Sequence, residues 1–309
     1  MNIDLKKVKT IEAKDKKFKV DSNDFSKRCK KGASFSEFME TVPKILAGND
    51  FRKSVDAIVS ARKNKKEVVF AIGGHVIKCG LSPLIIQMIE NDIITAIAMN
   101  GASAIHDSEI ALFGKTSETV ENGIDDGSFG MSRETGILLN DAAKEAQKTN
   151  SGFGETLGRK ITEMKAKNVH LSILAAAFKK KIPATVHVAI GTDTVHMHPN
   201  ADGSAIGAAT FTDFRIFSDK IANLEGGVYA NIGSAVIMPE IFLKAITLSN
   251  NLGFKVRKFT AITLDFEKKY RENENVVKRP TMHGGEGFYM VGQHEILLPM
   301  LTQAIIEKI

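Results

Sequence analysis

Two cysteines in 309 residues, Cys29 and Cys79, are too few and too far apart for the disulfide framework that staples small secreted domains. Tryptophan is absent, which by itself decides little. No apolar run approaches the roughly 18 residues of a membrane span. The lysine-rich start also lacks the apolar segment of a secretory signal, so the expectation is a cytoplasmic protein without a membrane partner. Zinc-finger, helix-turn-helix and aromatic RNA-binding signatures are missing too, as are internal repeats and low-complexity tracts. The net charge of +6 is confined to one end. Residues 1–66 carry 18 Lys/Arg against 9 Asp/Glu, leaving 24 against 27 for the rest. A body without basic excess argues against nucleic-acid binding and leaves the basic arm as a solvated face or a contact for a partner subunit.

What the chain does contain is a large apolar fraction, 43%, in short runs that alternate with amphipathic ones. Phe35 to Arg62 has helical spacing, so 1–66 reads as a basic helical extension and 67–309 as one sheet-centred domain. Within the body the pattern predicts strands at Val68–Ile72, Ile93–Met99, Ala184–Ile190, Gly227–Ile232 and Phe259–Leu264. Helices are expected at 81–90, 107–113, 133–147, 169–178, 214–224, 240–249 and 294–309. Strands alternating with helices imply an α/β, Rossmann-like, three-layer fold around a parallel sheet. The segment Thr281 to Gly287 reads as a flexible glycine-rich loop or a lid.

In such sheets ligands bind beyond the carboxyl ends of the strands. Four post-strand segments carry small or reactive residues: Gly73-Gly74-His75, Asn100 to Asp107, Gly191 to His198, and Asn231 to Ala235. Glycine and serine permit close approach of a phosphate or sugar, and Asp193 could accept hydrogen bonds from a ribose. No G-x-G-x-x-G follows the first strand, so the usual dinucleotide fingerprint is absent. His75, His106, His187, His196 and His198 lie in or beside strands and post-strand loops, where imidazole can shuttle protons. Asp193, His196 and His198 share the spacing of an extended metal-ligand set, while structural histidines remain the alternative. Lys78 could form an imine or bind an anion, or simply be an exposed helical lysine. Cys79 is reactive only if its thiol is acidified.

Read segment by segment, the body resembles the deoxyhypusine synthase family. Gly74-His75-Val76-Ile77-Lys78-Cys79-Gly80 stands where that family has its first NAD loop, and Asn100 to Asp107 is similar to its second. Ser172 to Pro183 resembles its helix leading into an Ile-Pro-Val strand. Gly191-Thr192-Asp193 resembles its Thr-Asp-Gly, Glu225 to Ser234 its glycine-rich strand and loop, Asp265-Phe266 its Glu-Phe, and Leu297 to Leu301 its last helix. Asn100 to Gly114 with Thr116-Ser117 is also similar to a loop of the NAD-dependent ornithine cyclodeaminase domain of arginine-catabolic enzymes.

The resemblance implies NAD held by Gly73, Gly74, His75, Cys79, Asn100, Gly101, Ala102, Ser103, Asp107, Asp193, Gly233 and Ser234. It implies a homotetramer whose N-terminal arm reaches a neighbouring active site. It also implies a transferase that oxidises the polyamine spermidine to an imine and passes its aminobutyl group to a protein acceptor. This chain departs from that pattern. The family's Trp-Gly-Lys is replaced by Gly287-Phe288-Tyr289, its paired histidines by residues around Met238-Pro239-Glu240, an acidic residue of the second loop by His106, and a substrate aspartate by a site near His198. Without that lysine there is no covalent carrier. The expectation is therefore an NAD-dependent enzyme acting on a polyamine or a basic amino acid through an imine intermediate, with His106, His198 and Lys78 as catalytic candidates and no metal. The alternatives are true deoxyhypusine synthesis through Lys278, a metal-dependent hydrolase using His187, His196, His198 and Asp193, and a non-catalytic NAD-binding protein.

Overall fold

The computed structural model describes residues 3–309, and the chain forms two compact units that divide between Asp50 and Phe51. The first contains short 3-10 turns at Leu5–Lys7, Ala13–Asp15 and Ser22–Asp24 and one helical turn, α1 (Phe35–Met39). Ser34 caps α1 by accepting from the Glu37 backbone N–H, while the Glu37 carboxylate accepts in return from Ser34 N at 2.8 Å. Met39 is the only buried residue among the described residues of this unit. Helix α2 (Leu46–Lys63) continues into the second unit and buries Phe51, Val55, Ile58 and Val59 along one stripe.

The second unit is built on six strands: β1 (Val68–Ile72), β2 (Ala96–Asn100), β3 (Ala184–His187), β4 (Val228–Ile232), β5 (Thr260–Asp265) and β6 (Glu286–Val291). All five pairings are parallel and the order is β3-β2-β1-β4-β5-β6. This is the expected α/β architecture. The central strands β1 and β4 are buried at every position, because a sheet covered on both faces offers no solvent side for polar residues.

The connecting helices are α3 (Gly74–Lys78), α4 (Ser82–Glu90), α5 (Gly101–Phe113), α6 (Val120–Asp126), α7 (Arg133–Thr149), α8 (Phe153–Glu163), α9 (Ile173–Lys180), α10 (Gly203–Ala222) and α11 (Ile237–Asn251). A short α12 (Tyr270–Glu272) runs into a π-helical turn, Asn273–Lys278, and α13 (His294–Ile306) follows β6. On one face of the sheet, Val69, Ala71, Ala98, Tyr229 and Ala261 pack against Phe217 and Ile221 of α10 and Phe242 and Ala245 of α11. Tyr229 and Phe242 stack there with nearly coplanar rings, 3.6 Å between centroids. Fully burying aromatics of this size contributes roughly 2–3 kcal/mol each.

Several boundaries differ from those the sequence predicts. Helix α5 starts at Gly101 rather than Asp107, since Asn100 caps it by accepting from Ser103 N at 2.9 Å. Helix α10 starts at Gly203, where Asp202 accepts from Ser204 N and Ala205 N, rather than at Phe214. The predicted helix over 169–178 is a 3-10 turn at Val169–Leu171 followed by α9, and β3 stops at His187. Helix α8 and strand β6 have no counterpart in the sequence reading. The Thr281–Gly287 segment leads directly into β6, with Glu286 and Gly287 already paired to Thr260 and Ala261.

Candidate functional site

The strand order reverses between β1 and β4, and the two chains leaving them touch. A Cβ on Gly73 would lie 1.9 Å from the carbonyl oxygen of Gly233, so only glycine permits this approach. Gly233 itself adopts φ +66°, and a Cβ there would come within 3.2 Å of His294 Nε2. On the other side, a Cβ on Gly74 would meet His106 Cδ2 at 2.9 Å and Ala102 at 3.4 Å. Bare backbone thus forms the floor at the topological switch point, where open α/β sheets place ligands.

A cavity of about 220 Å³ opens beside this floor, lined by Lys78, Ala102, His106, Glu109, Glu118 and Asp193 among others. Its polar wall is a relay on α5. Thr116 Oγ1 donates to Glu109 Oε2 at 2.5 Å and lies 2.6 Å from His106 Nδ1. The Thr116 proton is committed to the carboxylate, so His106 Nδ1 must donate, which leaves Nε2 as the basic nitrogen. Burial pushes the Glu109 carboxyl up, but hydrogen bonds from His106, Thr116 and Thr135 outweigh it and hold Glu109 below the usual range. A carboxylate behind an imidazole fixes its tautomer and orients its free nitrogen, which is the equipment of a general base.

Asp193 closes the opposite side. Its carboxylate rests on the first residue of α5, where a Cβ on Gly101 would meet Oδ2 at 1.8 Å. The Asp193 side chain is 9% exposed, Oδ2 has no hydrogen-bond donor, and burial pushes the group up to about 6. His196 Nδ1 accepts from the N–H groups of Gly191 (3.1 Å) and Asp193 (3.3 Å), which turns Nε2 toward Asp193 Oδ2 at 3.9 Å. Burial lowers the His196 pKa.

The remaining sequence candidates fall in different places. Lys78 is exposed at the end of α3 and reaches the cavity. His75 faces the other side of the glycine floor, its ring 5.3 Å from His294 and 5.9 Å from Phe266. Cys79 is half-buried, and burial together with Glu295 raises its thiol pKa, the reverse of an activated thiol. Ser103 binds Ile72 O and Asn100 Oδ1, and Ser234 Oγ accepts from Met238 N at the start of α11. Asp107 points inward, binding Ser172 Oγ at 2.6 Å and Ile173 N at 2.7 Å to cap α9. His198 Nε2 bonds Gly130 O at 2.7 Å and its ring packs on Gly136 of α7, while His187 is fully enclosed against Phe217. Lys278 is paired with Glu274 at 2.8 Å. Among the described residues no group of three or more His, Cys, Asp or Glu side chains could hold a metal ion.

Sequence reasoning missed three participants. His294 donates from Nε2 to Leu264 O at 3.1 Å, and its Nδ1 is buried without a partner. Glu109 and Thr116 complete the relay, and the i, i+3 spacing of His106 and Glu109 was the only local signal for it. The third is a nest of Asp265, Glu272 and Tyr289 at the ends of β5 and β6.

No protein-family model and no curated protein matches the sequence. Solved structures do match the fold. A complex of AgrE with ornithine and NAD+ superposes with TM-score 0.52 at 15% identity, covering 83% of this chain but 32% of AgrE. A candidate LOR/SDH protein from Methanococcus maripaludis gives 0.51 at 16% identity over 86% of this chain and 71% of its own. A candidate deoxyhypusine synthase from Entamoeba histolytica gives 0.51 at 11% identity over 90% and 94%. The chain spans about a third of the length of AgrE. At these identities the likeness establishes the fold.

Proposed function

We propose that this protein is a deoxyhypusine synthase-like, NAD-dependent enzyme that oxidises an amine substrate to an imine. The observation that carries the reading is His106, which lines the cavity beyond β1 and β2 with Thr116 and Glu109 hydrogen-bonded behind its Nδ1. The NAD-bound AgrE neighbour shares the fold and supports the cofactor assignment.

The residues present fit a dinucleotide. The missing side chain at Gly73 is taken up by the Gly233 backbone, so the feature that favours a ligand is the buried Asp193 Oδ2, an acceptor that a ligand hydroxyl can satisfy. Gly73, Gly74, Asn100 to Ser103, Asp193, Gly233 and Ser234 would hold it. When bound, NAD supplies the hydride acceptor for the carbon that bears the amine. His106 Nε2 takes the proton that the amine nitrogen loses as its C–N bond becomes C=N. Glu109, through Thr116, stabilises the imidazolium that results. Glu109, Glu118 and Asp193 give the cavity wall an acidic character suited to holding a cationic amine before oxidation. Lys78 also lines that wall, and its ammonium would meet an anionic group of the cofactor or substrate.

The test is calorimetric titration with NAD, followed by an absorbance screen for NADH with polyamines and basic amino acids. We expect NAD binding, and with the active amine a loss of about 10²–10⁴-fold in rate for His106→Ala. Absence of NAD binding, or full activity in His106→Ala, overturns the reading.

A further inference from the structure

Below the loop that follows β4 lies a cluster the proposed chemistry does not use. Glu272 is fully buried where β4, β5 and β6 end. Tyr289 Oη donates to its Oε2, and Asn231 Nδ2 approaches its Oε1 at 3.4 Å. Asp265 also acts on Glu272, its carboxyl group disfavouring a second negative charge there. Lys269 Nζ lies 2.5 Å from Asp265 Oδ1, with Glu267 beside it at 3.6 Å. This cation settles which partner is ionised. Although burial acts to raise it, Asp265 stays below the usual range through its bonds to Lys269 and Glu272, while burial and Asp265 push Glu272 up to about 8. The surroundings of Glu272 therefore favour its protonated form.

The second Asn231 N–H points the other way. Asn231 Nδ2 donates to the carbonyl of Ser234 at 3.0 Å, bridging the buried acid to the loop that presses on Gly73. An asparagine amide has two N–H groups, and both are used in this bridge. We propose that Glu272 is a positioning residue of the site: through the Asn231 amide it fixes the Ser234 carbonyl, and with it the Gly233 backbone that forms half of the glycine floor. The consequence for ligand binding rests on the reading of that floor as part of an NAD pocket. The positioning itself does not.

The experiment is amide hydrogen exchange on the full-length protein without ligand, read at Gly233, whose N–H bonds Leu264 O at 3.0 Å, with Leu157 in α8 as a distant reference. Glu272→Gln keeps a neutral, hydrogen-bonding side chain and should match the wild type. Glu272→Ala should exchange about tenfold faster at Gly233 with Leu157 unchanged, the effect of one lost hydrogen bond. Should the alanine variant not fold, Tyr289→Phe removes one donor to Glu272 and should give a smaller acceleration at the same amide. Unchanged Gly233 exchange in the variant measured, equal acceleration at Leu157, or failure of Glu272→Gln to restore protection overturns the proposal. A parallel titration with NAD should show about tenfold weaker binding for Glu272→Ala and recovery in Glu272→Gln. If even the wild type fails to bind NAD, the functional reading falls while the exchange result still decides the role of Glu272.

Discussion

Asp107 and Asp213 are fully buried and Asp193 partly so, and the three carboxyl groups meet desolvation differently. Asp107 and Asp213 lie where helices begin. Asp107 receives hydrogen bonds from Ser172 and the backbone of α9, and Asp213 receives them from Gly154 N at 2.9 Å and Val186 N at 2.6 Å. Asp213 Oδ1 and Asp193 Oδ2 both receive none, but Asp193 lies in the cavity wall. Burial lifts Asp107 and Asp193 to about 6 and Asp213 to about 8. The size of the shift therefore does not separate the scaffold from the site. Position does: Asp213 is sealed in the interior with its donors from α8 and β3, whereas the Asp193 side chain lines a cavity that a ligand can enter.

The largest effect expected from this contrast is at a cap. Asp213→Ala strands the N–H groups of Gly154 and Val186 in the interior and should cost about 3 kcal/mol of stability in urea unfolding. A loss well under 1 kcal/mol would show that Asp213 is not holding α8. The next is a pH effect. Asp213 binds its proton more tightly folded than unfolded, so its contribution is complete below about 4 and is lost as pH rises through about 8. Stability should fall over that window by at most about 1.4 kcal/mol per pH unit. Asp213→Asn, which carries no proton to lose, should flatten the fall, and an identical pH profile in this variant would refute the assignment. The smallest stability effect belongs to Asp193→Asn, which removes an unpaired buried acid and should change stability by under about 0.5 kcal/mol. Its expected signature is about tenfold weaker NAD binding, and an unaltered affinity would place Asp193 with the scaffold after all.

The same distinction governs what could be read from the sequence. Strands β1, β4 and β5 were legible because a doubly covered sheet writes itself as an unbroken apolar run. Strand β6 was not. It is an edge strand with exposed Glu286 and Val291, and the glycines before it resemble a loop. Helix α8 was hidden by Gly154 and Gly158, which look like breakers but sit where a Cβ would meet Ala184 O at 2.3 Å and Leu174 O at 2.4 Å. The candidate site was legible as far as it follows strand ends, which is why His106 and Asp193, read from two different post-strand segments, line one cavity. Asp107 and His198 bear similar side chains in similar segments, and only the fold reveals that one caps α9 and the other bonds Gly130. Glu272 and Tyr289 were beyond reach because their meeting depends on adjacent strand ends rather than on spacing along the chain.

The contact between Gly73 and Gly233 makes the site a saddle. On one slope lie His106 and the acidic wall, and on the other His75, His294 and Phe266. A ligand confined to one slope senses only half of these side chains. The backbone between the two slopes carries no side chain. A single methyl group added at Gly73 would force the Gly233–Ser234 backbone away and so move the join between the two slopes.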